Sequence, residues 1–332
     1  MPTIAVLGAG SYGTALAIQL ARLGNDTRLW GRNADHLRQL AEERINAEYL
    51  PGCKFPPALT PTADLREAVT GAEDLLVAVP SHALHAVLRI VAPMLTPAQG
   101  IASACKGLEP QTGKLVHEIV ADMVGAGRKF AAISGPTFAK EVGLGMPTAV
   151  TVASTDPEYA EKIVHALHGN GFRAYTSDDV VGVEVGGSVK NVLAIAVGIA
   201  DGLGLGANTR AGVITRGLAE IMRLGEALGG HRDTFMGLAG LGDLVLTCTD
   251  DQSRNRRMGL ALAKGKSLAE AQAEIRQVVE GVRAAPEVLR LARKHHIEMP
   301  ISEQVARVLA GEIKPVDAVR SLATRPPRAE ND

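Results

Sequence analysis

Lys190 is the ionisable residue whose sequence surroundings are least like those of a surface lysine. It lies in the run 181–197, which is apolar on nearly every side of a helix. Burial disfavours the charged form of an amine, so we expect a lowered pKa and a lysine able to exchange a proton near neutral pH. Glu184 lies six residues away, roughly 240° around a helix, and cannot pair with Lys190 on one face. A lysine that only reaches solvent at a domain boundary would explain the same sequence.

Asp243 and Thr247 follow a second glycine-rich segment, 237–242. A spacing of four residues places both side chains on one face of a helix that starts here, where they could meet Lys190 across a cleft. Asp243 acting as a plain helix N-cap explains the sequence almost as well. The sequence leaves both interpretations open.

The segment 253–257, Ser-Arg-Asn-Arg-Arg, combines a serine cap with arginines at a predicted helix start. Free backbone N–H groups together with the guanidinium fork of Arg254 suit a phosphate monoester. A solvated basic turn is the alternative.

Gly8, Gly10 and Gly13 form a GxGxxG pattern between a predicted strand and a predicted helix. Gly8 would allow the tight turn, Gly10 the close approach of a pyrophosphate, and Gly13 close packing of helix on strand. The phosphates would lie at the helix N-terminus, where free N–H groups favour anions. A tight turn without a ligand is the alternative.

Arg32 stands just after the second predicted strand, where an NAD-specific site usually carries an acidic residue for the ribose 2′-hydroxyl. Its guanidinium can instead pair with a 2′-phosphate. We therefore expect NADP(H) to be preferred and NAD(H) to be accepted. A solvated loop arginine is the alternative.

The elements that would position these residues change in kind along the chain. Predicted strands at 3–7, 26–30, 74–79, 100–104, 130–134, 149–153 and 172–175 alternate with helix-length segments. Such βαβ units predict a mostly parallel, doubly wound, Rossmann-like sheet. After about residue 177 only helical patterns follow, which predicts an all-α second domain. We expect 1–178 to bind NAD(P), 179–325 to form the helical substrate and catalytic domain, and 326–332 to be a tail.

Composition excludes several classes of function. The chain has 332 residues, is 46% hydrophobic and has a formal net charge of -1, so nothing indicates nucleic-acid binding. Cys53, Cys105 and Cys248 lie far apart, which is typical of free thiols and predicts no metal site. The longest apolar stretch, 181–200, contains two charges, so we expect a buried helix of a cytoplasmic protein without a membrane segment.

Several motifs in order resemble the bacterial type of NAD(P)-dependent glycerol-3-phosphate dehydrogenase over nearly the whole chain. The matching segments are 8–13, 103–109, 134–141, 189–192, 240–249, 253–255 and 278–281. The resemblance implies a Rossmann-like domain, a helical domain like the C-terminal domain of 6-phosphogluconate dehydrogenase, and a homodimer. It implies reversible hydride transfer between NAD(P)H and dihydroxyacetone phosphate, which supplies sn-glycerol 3-phosphate for phospholipid synthesis.

The resemblance also assigns roles to residues of this sequence. Lys190 would be the proton donor and acceptor, positioned by Asp243 and Thr247, while Lys106 and Asn191 would hold and polarise the substrate oxygens. The residues implied to contact the substrate are Lys106, Gly135, Thr137, Lys190, Asp243, Ser253, Arg254 and Asn255. Those implied to contact the cofactor, besides the glycines, are Ser11, Tyr12, Arg32, Lys106, Ala139, Arg254, Val278 and Glu280.

Two other functions remain to be weighed against this one. A 3-hydroxyacid or ketopantoate-type reductase shares the architecture but does not need the phosphate-binding segment 253–255. A non-catalytic NADPH-sensing protein would leave Lys190, Asp243 and Thr247 unexplained. Turnover of dihydroxyacetone phosphate separates these possibilities.

Overall fold

The N-terminal half of the protein is built on a sheet whose strands run almost all in one direction. The computed structural model describes residues 2–327, 329 and 330. Its strands are β1 (Thr3–Leu7), β2 (Asp26–Trp30), β3 (Ile45–Asn46), β4 (Leu50–Lys54), β5 (Leu59–Thr62), β6 (Asp74–Val77), β7 (Gly100–Ser103), β8 (Phe130–Ser134), β9 (Thr148–Ala153) and β10 (Phe172–Ser177). Eight of them form one sheet in the order β10-β9-β8-β7-β6-β1-β2-β5.

Helices cover both faces of this sheet. They are α1 (Ser11–Arg22), α2 (Ala34–Glu43), α3 (Leu65–Val69), α4 (Ser81–Val91), α5 (Val116–Val124), α6 (Ala139–Leu144) and α7 (Pro157–Leu167). Central strands such as β6 and β7 are buried along their whole length, as parallel strands between two helix layers must be. The predicted Rossmann-like, doubly wound sheet is confirmed, and the order of strands changes direction between β1 and β6.

The structure differs from the sequence prediction at the edges of this half. The strands β3, β4 and β5 were not predicted, because β3 has only two residues and Pro or Gly interrupts the short runs of β4 and β5. Pro61 is tolerated in β5 because that strand is the edge of the sheet and pairs with β2 alone. Strand β9 runs antiparallel to β8, so the sheet is mostly rather than wholly parallel.

The C-terminal half is helical within the described residues. Its helices are α8 (Val180–Gly202), α9 (Gly206–Ala227), α10 (Arg232–Met236), α11 (Asp243–Thr249), α12 (Arg254–Ala263), α13 (Leu268–Ile275), α14 (Glu280–Lys294), α15 (Pro300–Leu309) and α16 (Pro315–Ala323). The predicted all-α half is confirmed. The predicted tail, 326–332, lies only in part within the described residues.

Helix α8 is the centre of the helical half. It packs against α9, α11, α12, α14 and α15. By length and composition alone α8 could cross a membrane, but 89% of its most apolar stretch is buried inside the protein. A helix that is hydrophobic all round and surrounded by other helices is a core element. The prediction of a buried helix at this position is therefore confirmed.

Candidate active site

One buried carboxylate, that of Asp243, binds two lysines from different halves of the protein. The Lys190 Nζ, on α8, is in contact with Asp243 Oδ1, and the Lys106 Nζ, in the loop after β7, lies 2.8 Å from Oδ2. The Asp243 side chain is 2% exposed, so both ion pairs lie in a largely desolvated setting. The carboxylate that pairs with the buried ammonium of Lys190 is therefore that of Asp243.

The local sequence explains why Asp243 can reach α8 so closely. A π-helical turn, Leu238–Gly242, leads directly into α11, and Asp243 is the first residue of that helix. The turn lies against Gly186, where a Cβ atom would be 2.6 Å from the Ala239 carbonyl oxygen. The N-cap residue is Gly242 rather than Asp243, so the interpretation of Asp243 as a plain cap is wrong.

Thr247 lies one turn after Asp243 on α11 and completes the surroundings of Lys190. Lys190 Nζ donates to Thr247 Oγ1 over 3.0 Å, and Thr247 Oγ1 donates to the Asp243 carbonyl oxygen over 2.6 Å. The predicted shared face of Asp243 and Thr247 is confirmed by these contacts. The hydroxyl holds the ammonium in one position beside the carboxylate.

Lys106 is held by groups at the carboxyl ends of the sheet. Its Nζ donates to the Gly135 carbonyl oxygen over 3.2 Å and lies 5.5 Å from the centre of the Tyr12 ring. Thr137 Oγ1 is 3.0 Å from the Tyr12 hydroxyl. Ser134, the last residue of β8, was not among the predicted site residues, yet its hydroxyl lies 3.5 Å from Asp243 Oδ2. Its place at a strand end is the signal that could have identified it.

The pKa values of the two lysines move in opposite directions. Burial lowers the pKa of Lys190 to about 8, although Asp243 opposes the change. Burial also acts to lower the pKa of Lys106, but the charges of Asp243 and Tyr12 outweigh it, so the pKa of Lys106 is raised. Burial alone would raise the pKa of Asp243, and the two ammonium groups hold it below its usual range. The site thus contains a permanent cation, a permanent anion and one lysine that titrates near neutrality.

Asn191 and Asn255 join three helices behind Lys190. Asn255 Nδ2 donates to Asn191 Oδ1 over 2.8 Å, and its Oδ1 accepts from the Gly281 N–H at 2.9 Å. Gly281 is required here, because a Cβ atom would lie 2.5 Å from the Asn191 carbonyl oxygen. These amides therefore hold α8, α12 and the start of α14 together.

The N-terminus of α12 brings together the residues predicted to bind phosphate. Ser253 is the N-cap, and its Oγ accepts from the Arg256 N–H at 3.2 Å. Arg254 Nη1 donates to Gln277 Oε1 over 3.4 Å, a long bond that leaves most of its donors unused. Burial lowers the pKa of Arg254, and nearby Glu280 opposes that change. Such a helix start, with its dipole and an adjacent guanidinium, can accept an anionic group.

The glycine-rich turn after β1 has the shape that a dinucleotide pyrophosphate needs. Gly8 has φ +124°, and a Cβ atom on it would lie 2.6 Å from the Ala78 carbonyl oxygen. A Cβ atom on Gly13 would lie 1.9 Å from the Gly8 carbonyl oxygen, so this residue must pack directly on the turn. At Gly10, in contrast, a Cβ atom would meet no atom within 4 Å. The N-terminus of α1 has no side-chain cap, so its N–H groups are free to bind phosphate.

The remaining predicted cofactor residues surround the same edge of the sheet. Ser11 and Tyr12 open α1, Ala139 opens α6, and Arg32 is exposed directly after β2. From the helical half, Glu280 Oε2 accepts from the Ser81 hydroxyl at 2.8 Å. Val278 is half-buried two residues before α14. Among the described residues there is no group of three or more His, Cys, Asp or Glu side chains placed to hold a metal ion.

A Rossmann-like sheet with its glycine-rich turn, followed by a helical half, is the arrangement of nicotinamide-nucleotide-dependent oxidoreductases. Family models for the N-terminus and the C-terminus of NAD-dependent glycerol-3-phosphate dehydrogenase match residues 3–160 and 179–320. The chain belongs to this family.

Close relatives are found among both sequences and structures. The glycerol-3-phosphate dehydrogenase [NAD(P)+] of Stenotrophomonas maltophilia is 52% identical over 98% of this chain and 96% of its own length. The enzyme of the same name from Xanthomonas euvesicatoria is 53% identical over the same shares. The crystal structure of glycerol-3-phosphate dehydrogenase from Coxiella burnetii superposes with a TM-score of 0.94 at 48% identity, covering 98% of this chain and 99% of that one.

Proposed function

We propose that this protein is an NAD(P)-dependent glycerol-3-phosphate dehydrogenase that interconverts dihydroxyacetone phosphate and sn-glycerol 3-phosphate. The observation that carries the assignment of its site is the single carboxylate of Asp243, which binds both Lys190 and Lys106 where the two halves of the protein meet. Family membership over nearly the whole chain supports the reaction.

Lys190 is the residue that moves the proton. With a pKa of about 8, it is mostly protonated at neutral pH and can donate to the oxygen of a ketone as that oxygen becomes an alkoxide. In the opposite direction the neutral amine accepts the proton of the secondary hydroxyl. When bound, NAD(P)H supplies the hydride for the carbonyl carbon.

Lys106 and Asp243 do not exchange protons in this mechanism. The raised pKa of Lys106 keeps it cationic, so it stabilises negative charge developing on a substrate oxygen. Asp243 stays ionised and, with Thr247, orients the Lys190 ammonium. Asn191 accepts from Asn255 through its carbonyl oxygen and donates one amide N–H to the Gly187 carbonyl oxygen over 3.3 Å, so its second amide N–H is the one able to reach substrate.

The substrate phosphate is bound at the start of α12. Arg254 supplies the charge, Ser253 supplies a hydroxyl whose proton is free to donate, and the backbone N–H groups add to the field. Asn255 has both amide atoms engaged by α8 and α14, so it contributes by fixing this helix start. Gly135 and Thr137 line the same space from the sheet side, beside Lys106.

The cofactor preference follows from the residue at the end of β2. Arg32 is exposed there, and neither a hydrogen bond nor an ion pair ties it to any other described residue. A 2′-phosphate can accept two parallel hydrogen bonds from such a free guanidinium, whereas a neutral 2′-hydroxyl cannot. We infer that NADP(H) is preferred and that NAD(H) is also used.

The wider role is inferred from the reaction. The product is the backbone of glycerophospholipids, so we propose a cytoplasmic enzyme that supplies phospholipid synthesis and acts as a homodimer. Residues 1–178 would bind the nucleotide, and 179–325 would supply the acid–base and phosphate-binding groups; β10 ends at Ser177 and α8 begins at Val180, which supports that division.

Steady-state oxidation of NADPH and NADH with dihydroxyacetone phosphate tests the assignment. Lys190→Ala should lower kcat at least about 100-fold with little change in NADPH affinity, because general acid catalysis contributes about 100- to 10,000-fold. Lys190→Arg should be almost as inactive, since a guanidinium does not deprotonate at working pH. Lys266→Ala, which removes an exposed lysine paired with Glu274, is the matched control. Turnover of an unphosphorylated keto acid in place of dihydroxyacetone phosphate would instead indicate a ketopantoate-type reductase.

A further inference from the structure

Three basic side chains without a binding partner lie beside the nucleotide site: Arg32, His82 and Arg283. Arg32 follows β2, His82 is in the first turn of α4, and Arg283 is in the first turn of α14. Within the described part of the chain, none of them forms a hydrogen bond or an ion pair. Three basic side chains from different elements, with no acceptor among the described residues, suggest that an anion from outside the chain binds between them.

A direct contact between the two halves places Arg283 near the sheet. Ser81 Oγ donates to Glu280 Oε2 over 2.8 Å, which fixes the start of α14 on the start of α4. His82 follows Ser81 in sequence, and Arg283 lies three residues after Glu280, on the same face of its helix. Strands β6, β1 and β2 lie side by side in the sheet. Adjacent strands are about 4.8 Å apart, so the ends of β6 and β2 are separated by only about 10 Å.

The electrostatics agree with this placement. Burial lowers the pKa of His82, and both Arg283 and Arg32 lower it further, so each of the two arginines lies within electrostatic range of His82. Glu280 is the carboxylate that opposes this effect, but it already accepts from Ser81. The surroundings of His82 therefore carry an excess of positive charge.

We propose that Arg283 binds the 2′-phosphate of NADP(H) from the helical half of the protein, opposite Arg32. The proposal rests on the inferred preference for NADP(H) and extends it to a second residue on the other half. A phosphate monoester is close to doubly charged at neutral pH and has enough oxygens for two guanidinium groups. NAD(H) carries a neutral hydroxyl at this position, so Arg283 contributes to selectivity and not to dinucleotide binding in general.

Calorimetric binding of NADP+, NAD+ and adenosine 2′,5′-bisphosphate tests the proposal without relying on turnover. Arg283→Ala should weaken NADP+ and adenosine 2′,5′-bisphosphate about tenfold, as expected for one lost charge-assisted contact, and change NAD+ less than about twofold. Arg290→Ala is the matched control, because it removes the same charge from α14 two turns further on, about 10 Å away. It should change none of the three affinities.

The Arg32→Ala variant separates failure of this proposal from failure of the cofactor preference. A selective loss of NADP+ affinity in both arginine variants, with NAD+ unchanged, supports binding from both halves. Loss in Arg32→Ala alone keeps the preference for NADP(H) but overturns the role of Arg283. Equal loss of NADP+ and NAD+ in Arg283→Ala also overturns it, since the residue would then act on a part that both nucleotides share. Wild-type protein that does not discriminate between NADP+ and NAD+ would overturn the preference itself and this proposal with it.

Discussion

Replacing Asp243 by Asn tests whether one carboxylate determines the ionisation of both active-site lysines. The substitution keeps the size of the side chain but removes a negative charge that contacts Lys190 Nζ and lies 2.8 Å from Lys106 Nζ. Two ammonium groups then face each other with no anion between them. Lys106 has further partners in Gly135 and Tyr12, so we expect it to remain charged and Lys190 to lose its proton.

The size of the effect can be bounded from Coulomb's law. Two unit charges about 4 Å apart interact by about 4 kcal/mol at an effective dielectric of about 20, which corresponds to an upper limit of about three pH units. Local relaxation reduces this value, and we expect the pKa of Lys190 to fall by at least about one unit. A fall of about one unit leaves about half of Lys190 protonated at pH 7, and a fall of about three units leaves about 1%, so loss of the proton alone should slow reduction of dihydroxyacetone phosphate by about two- to a hundredfold.

The decisive assay is the pH profile of kcat/KM for oxidation of glycerol 3-phosphate, measured across the wild-type pKa of about 8. Asp243→Asn should lower the plateau at high pH, because the amine is a weaker base and loses the carboxylate that orients it, and should shift the rising limb towards acid. Asp201→Asn is the control, because Asp201 is also a buried aspartate bound to two cations, Arg210 and Arg256, and lies on the same helix as Lys190. It should destabilise the protein and leave the position of the profile unchanged.

An unshifted rising limb in a folded Asp243→Asn protein would refute the reasoning. Breaking a buried ion pair costs about 3–5 kcal/mol, so thermal unfolding must be measured alongside the kinetics. If the variant fails to fold, Thr247→Val offers the same test with a smaller loss of stability. It removes the hydroxyl at 3.0 Å from Lys190 Nζ and should also shift the limb towards acid, by a smaller amount.

Three further predictions follow from single contacts. In the wild type, oxidation of glycerol 3-phosphate should rise as pH passes about 8 and reduction should fall, because the neutral amine of Lys190 is the base and its ammonium the acid; a flat profile in both directions would exclude this role. Gly10→Ala should weaken NADPH binding at least about tenfold without lowering the melting temperature, whereas Gly13→Ala should destabilise the fold, since its Cβ would lie 1.9 Å from the Gly8 carbonyl oxygen. Arg254→Ala should raise KM for dihydroxyacetone phosphate about ten- to a hundredfold and lower kcat much less; an unchanged KM would place the phosphate elsewhere.

The sheet half could be predicted well because its signals are local. Buried parallel strands are short apolar runs, and the turn at Gly8 needs a residue that tolerates φ +124°. The strands β4 and β5 lack such a signal, since each contains a proline, and β5 also gains its partner, β2, from distant sequence. The antiparallel course of β9 is likewise a property of the whole sheet rather than of its own residues.

The residues of the site could be predicted from the sequence, but the contacts between them could not. The apolar surroundings of Lys190 indicated a buried amine that needs a partner, yet Asp243 lies 53 residues further along the chain. The contact between Lys106 and Asp243 spans 137 residues and depends on how the two halves meet. The π-helical turn that brings Asp243 to α8 could not be inferred, because a glycine-rich segment fits a loop equally well.

Helix α8 lacks an amphipathic pattern because it is buried among the other helices. Three buried polar residues on this helix find a partner on another element: Glu184 binds His117 on α5, Lys190 binds Asp243 on α11, and Asn191 binds Asn255 on α12. A polar group that is buried without a partner would cost several kcal/mol. These pairings therefore select one arrangement of the surrounding elements. Of the three, the Lys190–Asp243 pair is the one that also connects α8 to Lys106, because Asp243 binds both lysines. The same desolvation that makes the pairings necessary also lowers the pKa of Lys190, so the packing of the helical half and its acid–base chemistry have a common physical origin.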